Sequence, residues 1–104
     1  MRGDIVRVPA DKQARGSEQQ GARYGVVVQS DDLLLSTVLV TPTSASSTPM
    51  LHRPEVVILG QSTCLLAEQT RAVRREALGP SLGRLPYADL IRLDEALRLV
   101  LALD

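Results

Sequence analysis

Arg23 stands where a polar stretch gives way to the apolar run Val26-Val27-Val28, so a strand start can hold its guanidinium rigidly at a surface edge. A planar guanidinium offers paired donors to a phosphate or carboxylate. Thr43 and Ser44 follow a second apolar run, Val38-Leu39-Val40. A hydroxyl at a strand end donates to an oxyanion without adding charge. Glu18 lies in Arg15-Gly16-Ser17-Glu18-Gln19. Its carboxylate is placed to accept a proton, to hydrogen-bond a base edge, or to neutralise Arg15 or Arg23. Glu68 and Arg71, three residues apart, read by themselves as a structural pair on a strand. His52 is the single histidine, so one chain cannot supply a pair of imidazoles for acid–base work. Cys64, the single cysteine, sits among Thr63, Leu65 and Leu66 and reads as a small buried residue. Neither a disulfide nor a Cys₄ or Cys₂His₂ set can be formed, and no metal or cofactor is expected.

Composition narrows the classes. Twelve Lys and Arg balance twelve Asp and Glu, unlike a nucleic-acid binder that works by bulk positive charge. Lys12 is the one lysine, so anion recognition falls to arginine. There is no Phe or Trp and there are two tyrosines, Tyr24 and Tyr87. That excludes the aromatic base-stacking platform of RRM and OB modules and leaves the core to Val, Leu, Ile and Ala. With 44% apolar residues the chain is a folded one. Its opening residues carry no signal-peptide core and its longest apolar run, Leu99 to Leu103, is far short of a span. The expectation is one domain over residues 1–104, soluble and cytoplasmic, with no membrane partner.

Local patterns predict the elements that must position these groups. Asp4 to Val8 reads as a strand and Pro9 to Ala22 as a long polar loop. Tyr24 to Ser30 and Ser36 to Thr41 read as strands joined by the short link Asp31 to Leu35. Thr43 to Pro54 reads as a Ser/Thr/Pro loop. Glu55 to Leu59 and Ser62 to Ala67 pair around Gly60-Gln61. Thr70 to Leu78 reads as a strand end and a helical turn, and Ser81 to Leu85 as a last short strand. From Pro86 onward, Leu90, Leu93, Leu97, Val100 and Leu101 recur at helical spacing, with Leu99 and Leu103 beside the stripe. That coverage is wider than one buried face needs and hints at a partner subunit. The fold class is mainly β with a C-terminal helix: a small, partly closed antiparallel barrel or sheet. The element order excludes a doubly wound fold.

Four stretches in register resemble the MazF/PemK/Kid family of toxin endoribonucleases over nearly the whole chain. Arg2-Gly3-Asp4-Ile5-Val6 resembles its opening. Arg15 to Gln19, Arg23 and Val26 to Asp31 resemble its loop and central strand. Ser36-Thr37-Val38-Leu39-Val40-Thr41-Pro42-Thr43-Ser44 resembles its Thr-Ser strand. Leu66-Ala67-Glu68-Gln69-Thr70-Arg71, Leu82-Gly83-Arg84-Leu85 and Asp94-Glu95-Ala96-Leu97 resemble its closing motifs. Val6 replaces an aromatic, Tyr24 replaces a proline, the stretch before Thr43 is one residue short, and Ala45 to Arg53 has no counterpart.

The resemblance implies an SH3-like barrel, a homodimer, metal-independent cleavage of single-stranded RNA, and inhibition by a MazE-like cognate antitoxin whose tail crosses the active groove. It implies catalytic roles for Arg23, for Thr43 or Ser44, and for Glu68. It implies RNA contacts for Arg15, Ser17, Glu18, Gln19 and Arg71. The gap before Thr43 lets either hydroxyl fill the family's threonine position, and Thr43 is expected to matter more. Two other classes stand beside this one: a CcdB-like gyrase poison, which lacks the loop arginine and Thr-Ser site, and an SH3-like protein-binding module, which usually presents an aromatic groove.

Overall fold

The computed structural model describes residues 1–9 and 23–104. Seven strands and one helix follow in chain order: β1 (Asp4–Val8), β2 (Arg23–Val27), β3 (Thr37–Ser44), β4 (Glu55–Ile58), β5 (Gln61–Leu65), β6 (Arg71–Arg74), β7 (Gly83–Arg84) and α1 (Tyr87–Leu101). The strands run in the order β4-β5-β3-β2-β1-β7, with β6 also on β3. Every pairing is antiparallel.

β3 is the pivot. Its first half, Thr37 to Val40, pairs with β6, while Thr43 and Ser44 pair with Leu65 and Cys64 of β5. Its other edge pairs with β2 through Val40, Thr41 and Pro42. One strand serving two arms curls the sheet into a half-barrel. Alternation along β2 then feeds two cores. Val26 joins Ile5, Val56, Ile58, Leu65 and Leu93 beneath α1. Val27 joins Val6, Val8, Val38, Val40 and Val73 on the opposite face. Gly25 lies where β2 meets β3 most tightly: a Cβ there would stand 2.6 Å from Val40 Cγ1 and 3.2 Å from the Thr41 carbonyl oxygen.

The chain's two ends are tied together. The Arg2 Nε donates to the Val28 carbonyl at 3.1 Å and its Nη2 pairs with Asp94 of α1. Arg84 Nη1 reaches Asp4 at 3.2 Å and Nη2 donates to the Arg2 carbonyl at 2.9 Å. The residues that opened and closed the motif series are therefore structural partners.

β1 falls where the sequence placed it, and residues 10–22 of the expected loop lie outside the described residues. β2 stops at Val27, because the Val28 and Gln29 N–H groups both turn to the Leu39 carbonyl. β3 runs on to Ser44, so the first two residues of the expected Thr43 to Pro54 loop are strand. β5 ends at Leu65, and Ala67–Gln69 is a 3₁₀ turn instead of strand. On α1, Leu93 and Ala96 are buried, whereas Leu99 and Leu101 are exposed, as is Leu103 just beyond the helix. Among the described residues no helix is long and apolar enough to cross a membrane.

Candidate functional site

A cleft of about 300 Å³ opens where β2 begins, β3 ends and the β4–β5 hairpin turns. Arg23 and Tyr24, Thr43 and Ser44, Ala45 and Ser46, and Ile58, Gln61 and Thr63 line it. Antiparallel register brings the first two pairs together. Gly25 faces Pro42 and Val26 faces Thr41, and beyond the Gly25–Pro42 pair side-chain hydrogen bonds join Thr43 to Tyr24 and Arg23 to Thr43.

The two hydroxyls differ. Thr43 is buried and its Oγ1 donates to the Tyr24 carbonyl at 2.9 Å. A hydroxyl has one proton to give, so that of Thr43 is committed to the backbone. Ser44 is half-buried and its Oγ lies 3.3 Å from Ser46 Oγ, a long contact that leaves its proton free to turn to a ligand. The Arg23 Nη1 donates to the Thr43 carbonyl at 3.2 Å, which braces the guanidinium at the mouth. Among the described residues no carboxylate pairs with it, although Arg2, Arg53, Arg84 and Arg92 each have one. The cleft thus combines one braced cation, a ring of neutral polar groups and an apolar floor at Ile58.

Glu68 and Arg71 do not line this cleft, and the couple expected between them does not form. Glu68 sits on the 3₁₀ turn, where Arg53 Nε and Nη2 both reach its Oε2, at 2.9 and 2.5 Å. Partial burial pushes the Glu68 carboxyl up, but hydrogen bonds from Arg53 and its own turn, with the Arg53 charge, outweigh it and hold the group below its ordinary value. The Glu68 hydrogen bond in turn raises Arg53. Arg71 instead donates to the Pro9 carbonyl at 2.7 Å. A pairing across fifteen residues displaced one across three because the 3₁₀ turn points the carboxylate towards the segment before β4.

Arg15, Ser17, Glu18 and Gln19 lie outside the described residues. Cys64 is buried as expected, its Sγ 3.4 Å from the Ser47 carbonyl oxygen, and burial pushes its thiol up. His52 is half-buried and does not line the cleft. Sequence reading missed Ser46, Gln61 and Thr63. The signal for the last two was the hairpin itself: period-two alternation puts Gln61 and Thr63 on one face of β5.

Such an architecture, a curled antiparallel sheet with a C-terminal helix and a polar cleft at the end of its central strands, defines a small β protein with a braced guanidinium at the mouth of its cleft. Residues 1–101 match the model of the PemK-like, MazF-like toxins of type II toxin–antitoxin systems, and the chain belongs to that family. A toxin candidate of Mycobacterium tuberculosis is 40% identical over 73 residues, covering 70% of this chain and 69% of that one. The endoribonuclease MazF9 of the same organism is 36% identical over 114 residues, covering 98% and 96%. Among solved structures, a mycobacterial endoribonuclease in complex with its cognate antitoxin superposes with a TM-score of 0.79 at 17% identity, covering 100% of this chain and 96% of that one. The fold class read from the strand pattern is thereby established.

Proposed function

We propose that this toxin is a sequence-specific endoribonuclease that cuts single-stranded RNA through its own 2′-hydroxyl, without a metal. The observation that carries the reading is that Arg23, braced on the Thr43 carbonyl, and Ser44 line one cleft. The similarity to MazF9 supports it.

In this reaction the 2′-oxygen attacks phosphorus, the bond from phosphorus to the 5′-oxygen breaks, and the products are a 2′,3′-cyclic phosphate and a 5′-hydroxyl. Arg23 binds the non-bridging oxygens, where charge accumulates. Ser44, not Thr43, donates the second hydrogen bond, because the proton of Thr43 is already spent on Tyr24. The proton of the 2′-hydroxyl goes to a general base, and the leaving 5′-oxygen takes a proton from water to become the 5′-hydroxyl. Glu68 is engaged by Arg53 away from the cleft, so Glu18 is the carboxylate assigned to that task. Arg15, Ser17, Gln19 and Arg71 hold flanking RNA, and Glu68 with Arg53 fixes the segment before β4.

The partners follow from the same surfaces. A MazE-like antitoxin inhibits by laying carboxylates on Arg23 and Arg71, each such contact contributing about 1.5–3 kcal/mol. That a mycobacterial structural relative is seen in complex with its cognate antitoxin supports such a partner. The exposed apolar side chains Leu99 and Leu101 of α1, with Leu103 just beyond it, support a homodimer, since such a patch marks an interaction surface.

Incubation of the purified protein with single-stranded RNA in excess chelator tests the reading. Fragments ending in a 2′,3′-cyclic phosphate are expected, and a substrate with a 2′-deoxy residue at the scissile position should stay intact. Activity lost in chelator, or cutting of the deoxy substrate, would overturn the mechanism.

A further inference from the structure

The cleft has two unlike walls. Arg23 of β2 lines one part of it with a charge, while the β4–β5 hairpin lines another with Gln61 and Thr63. Both are neutral. Phosphate contacts position a nucleic acid and base contacts specify it, so a wall of neutral donors and acceptors in one cleft with a braced cation is suited to a base whose phosphate lies on Arg23. Resting on the endoribonuclease reading, we propose that Gln61 is a specificity-determining residue that reads an adenine next to the scissile phosphate.

Three features support this. First, Gln61 is held by a rigid element. Leu59 and Gly60 form a two-residue turn, both at positive φ (51° and 82°), and Gln61 pairs directly with Ile58. Positive φ at both central residues is the requirement of the tight hairpin turn that matches strand twist. The backbone that carries the amide is therefore held in a fixed register, as a recognition residue requires. Second, the cleft volume of about 300 Å³ lies at the small end of ligand sites and takes a single splayed base, the form in which single-stranded RNA is read. Ile58, buried at 2% exposure, gives that base an apolar floor. Third, the carboxamide presents one donor and one acceptor in a plane. These match the N6 donor and N7 acceptor of adenine, the pairing that glutamine makes bidentately. Gln61 lies in none of the motifs shared with the toxin family, as befits a residue that sets preference instead of chemistry.

The test is cleavage of a randomised single-stranded RNA pool by wild type, Gln61→Ala and Ser44→Ala, with the cut sites sequenced. Wild type should show adenine enriched at one position beside the cut. Gln61→Ala should lose that enrichment, its rate on the adenine-containing sites falling about tenfold and its rate on other sites changing less than about threefold. Ser44→Ala should slow every site together and keep the wild-type preference. An unchanged cut-site preference in Gln61→Ala, or loss of preference for a base other than adenine, overturns the inference while leaving the nuclease reading in place. A pool left uncut by wild type removes both.

Discussion

Arginine is used in opposite ways at the two ends of this molecule. Where the chain's ends meet, Arg2 is saturated: it pairs with Asp94, donates to Val28, and both it and Asp94 keep only 30% of their side-chain surface. At the cleft, Arg23 is braced by a carbonyl and, among the described residues, has no carboxylate. Pairing with a carboxylate neutralises a guanidinium for ligand binding, whereas a backbone carbonyl orients it and leaves its charge available. Motifs that resemble a family's catalytic sequence can therefore be fold clamps, and Arg2, Asp4, Arg84 and Asp94 are such clamps.

The sharpest way to break this contrast is to truncate both arginines. Arg23→Ala should lower RNA cleavage by roughly 10²–10³, a barrier change of about 2.7–4 kcal/mol, with stability changed by less than about 0.5 kcal/mol. Single-turnover cleavage and thermal melting report the two. Arg2→Ala should do the reverse, costing about 1–2 kcal/mol of stability after solvent screening with little loss of rate per folded molecule. Equal effects in both assays for either variant would dissolve the distinction.

A second pair refines it within the cleft. Thr43→Val removes the donor to Tyr24 and should cost about 1 kcal/mol of stability, while Ser44→Ala should lower the cleavage rate and barely move the melting curve. A Thr43→Val protein that melts normally but cleaves poorly would return the catalytic hydroxyl to Thr43.

The hairpin tip gives a smaller effect of opposite sign. Leu59 holds φ 51° and is 56% exposed, so Leu59→Asn relieves a left-handed leucine while giving up little burial. Stabilisation by about 0.5–1 kcal/mol is expected from chemical denaturation.

The pH dependence of the Arg53–Glu68 pair is the smallest. The Glu68 carboxyl is held below its ordinary 4.5, so its contribution is present above that pH and fades as pH falls through the folded-state value. The difference in Tm between wild type and Glu68→Gln should be steady above pH 4.5 and close below it.

Much of the scaffold was legible because it is local. The bounds of β1 follow from alternation over Asp4 to Val8, and α1 from leucines at helical spacing. What was not legible is register over distance. Thr43 and Ser44 look like loop because their neighbours are Ser, Thr and Pro, yet β2 and β5 hold them from both sides. Glu68 was matched to Arg71 by proximity along the chain, and its real partner, Arg53, comes from a segment with no motif. Arg23 was legible as a cleft residue from its place before an apolar run. Gln61 was not, since only folding the hairpin against β3 brings it into one cleft with Arg23.

The clamp between the chain's ends also sets a timetable for synthesis. Ile5 and Val26 share a core with Leu93 and Ala96, and Arg2 waits for Asp94. On the ribosome, the half-barrel therefore stays unroofed until residues beyond Ala96 have left the exit tunnel. Closure of this core is thus a late event, completed only when the helix packs back onto the sheet.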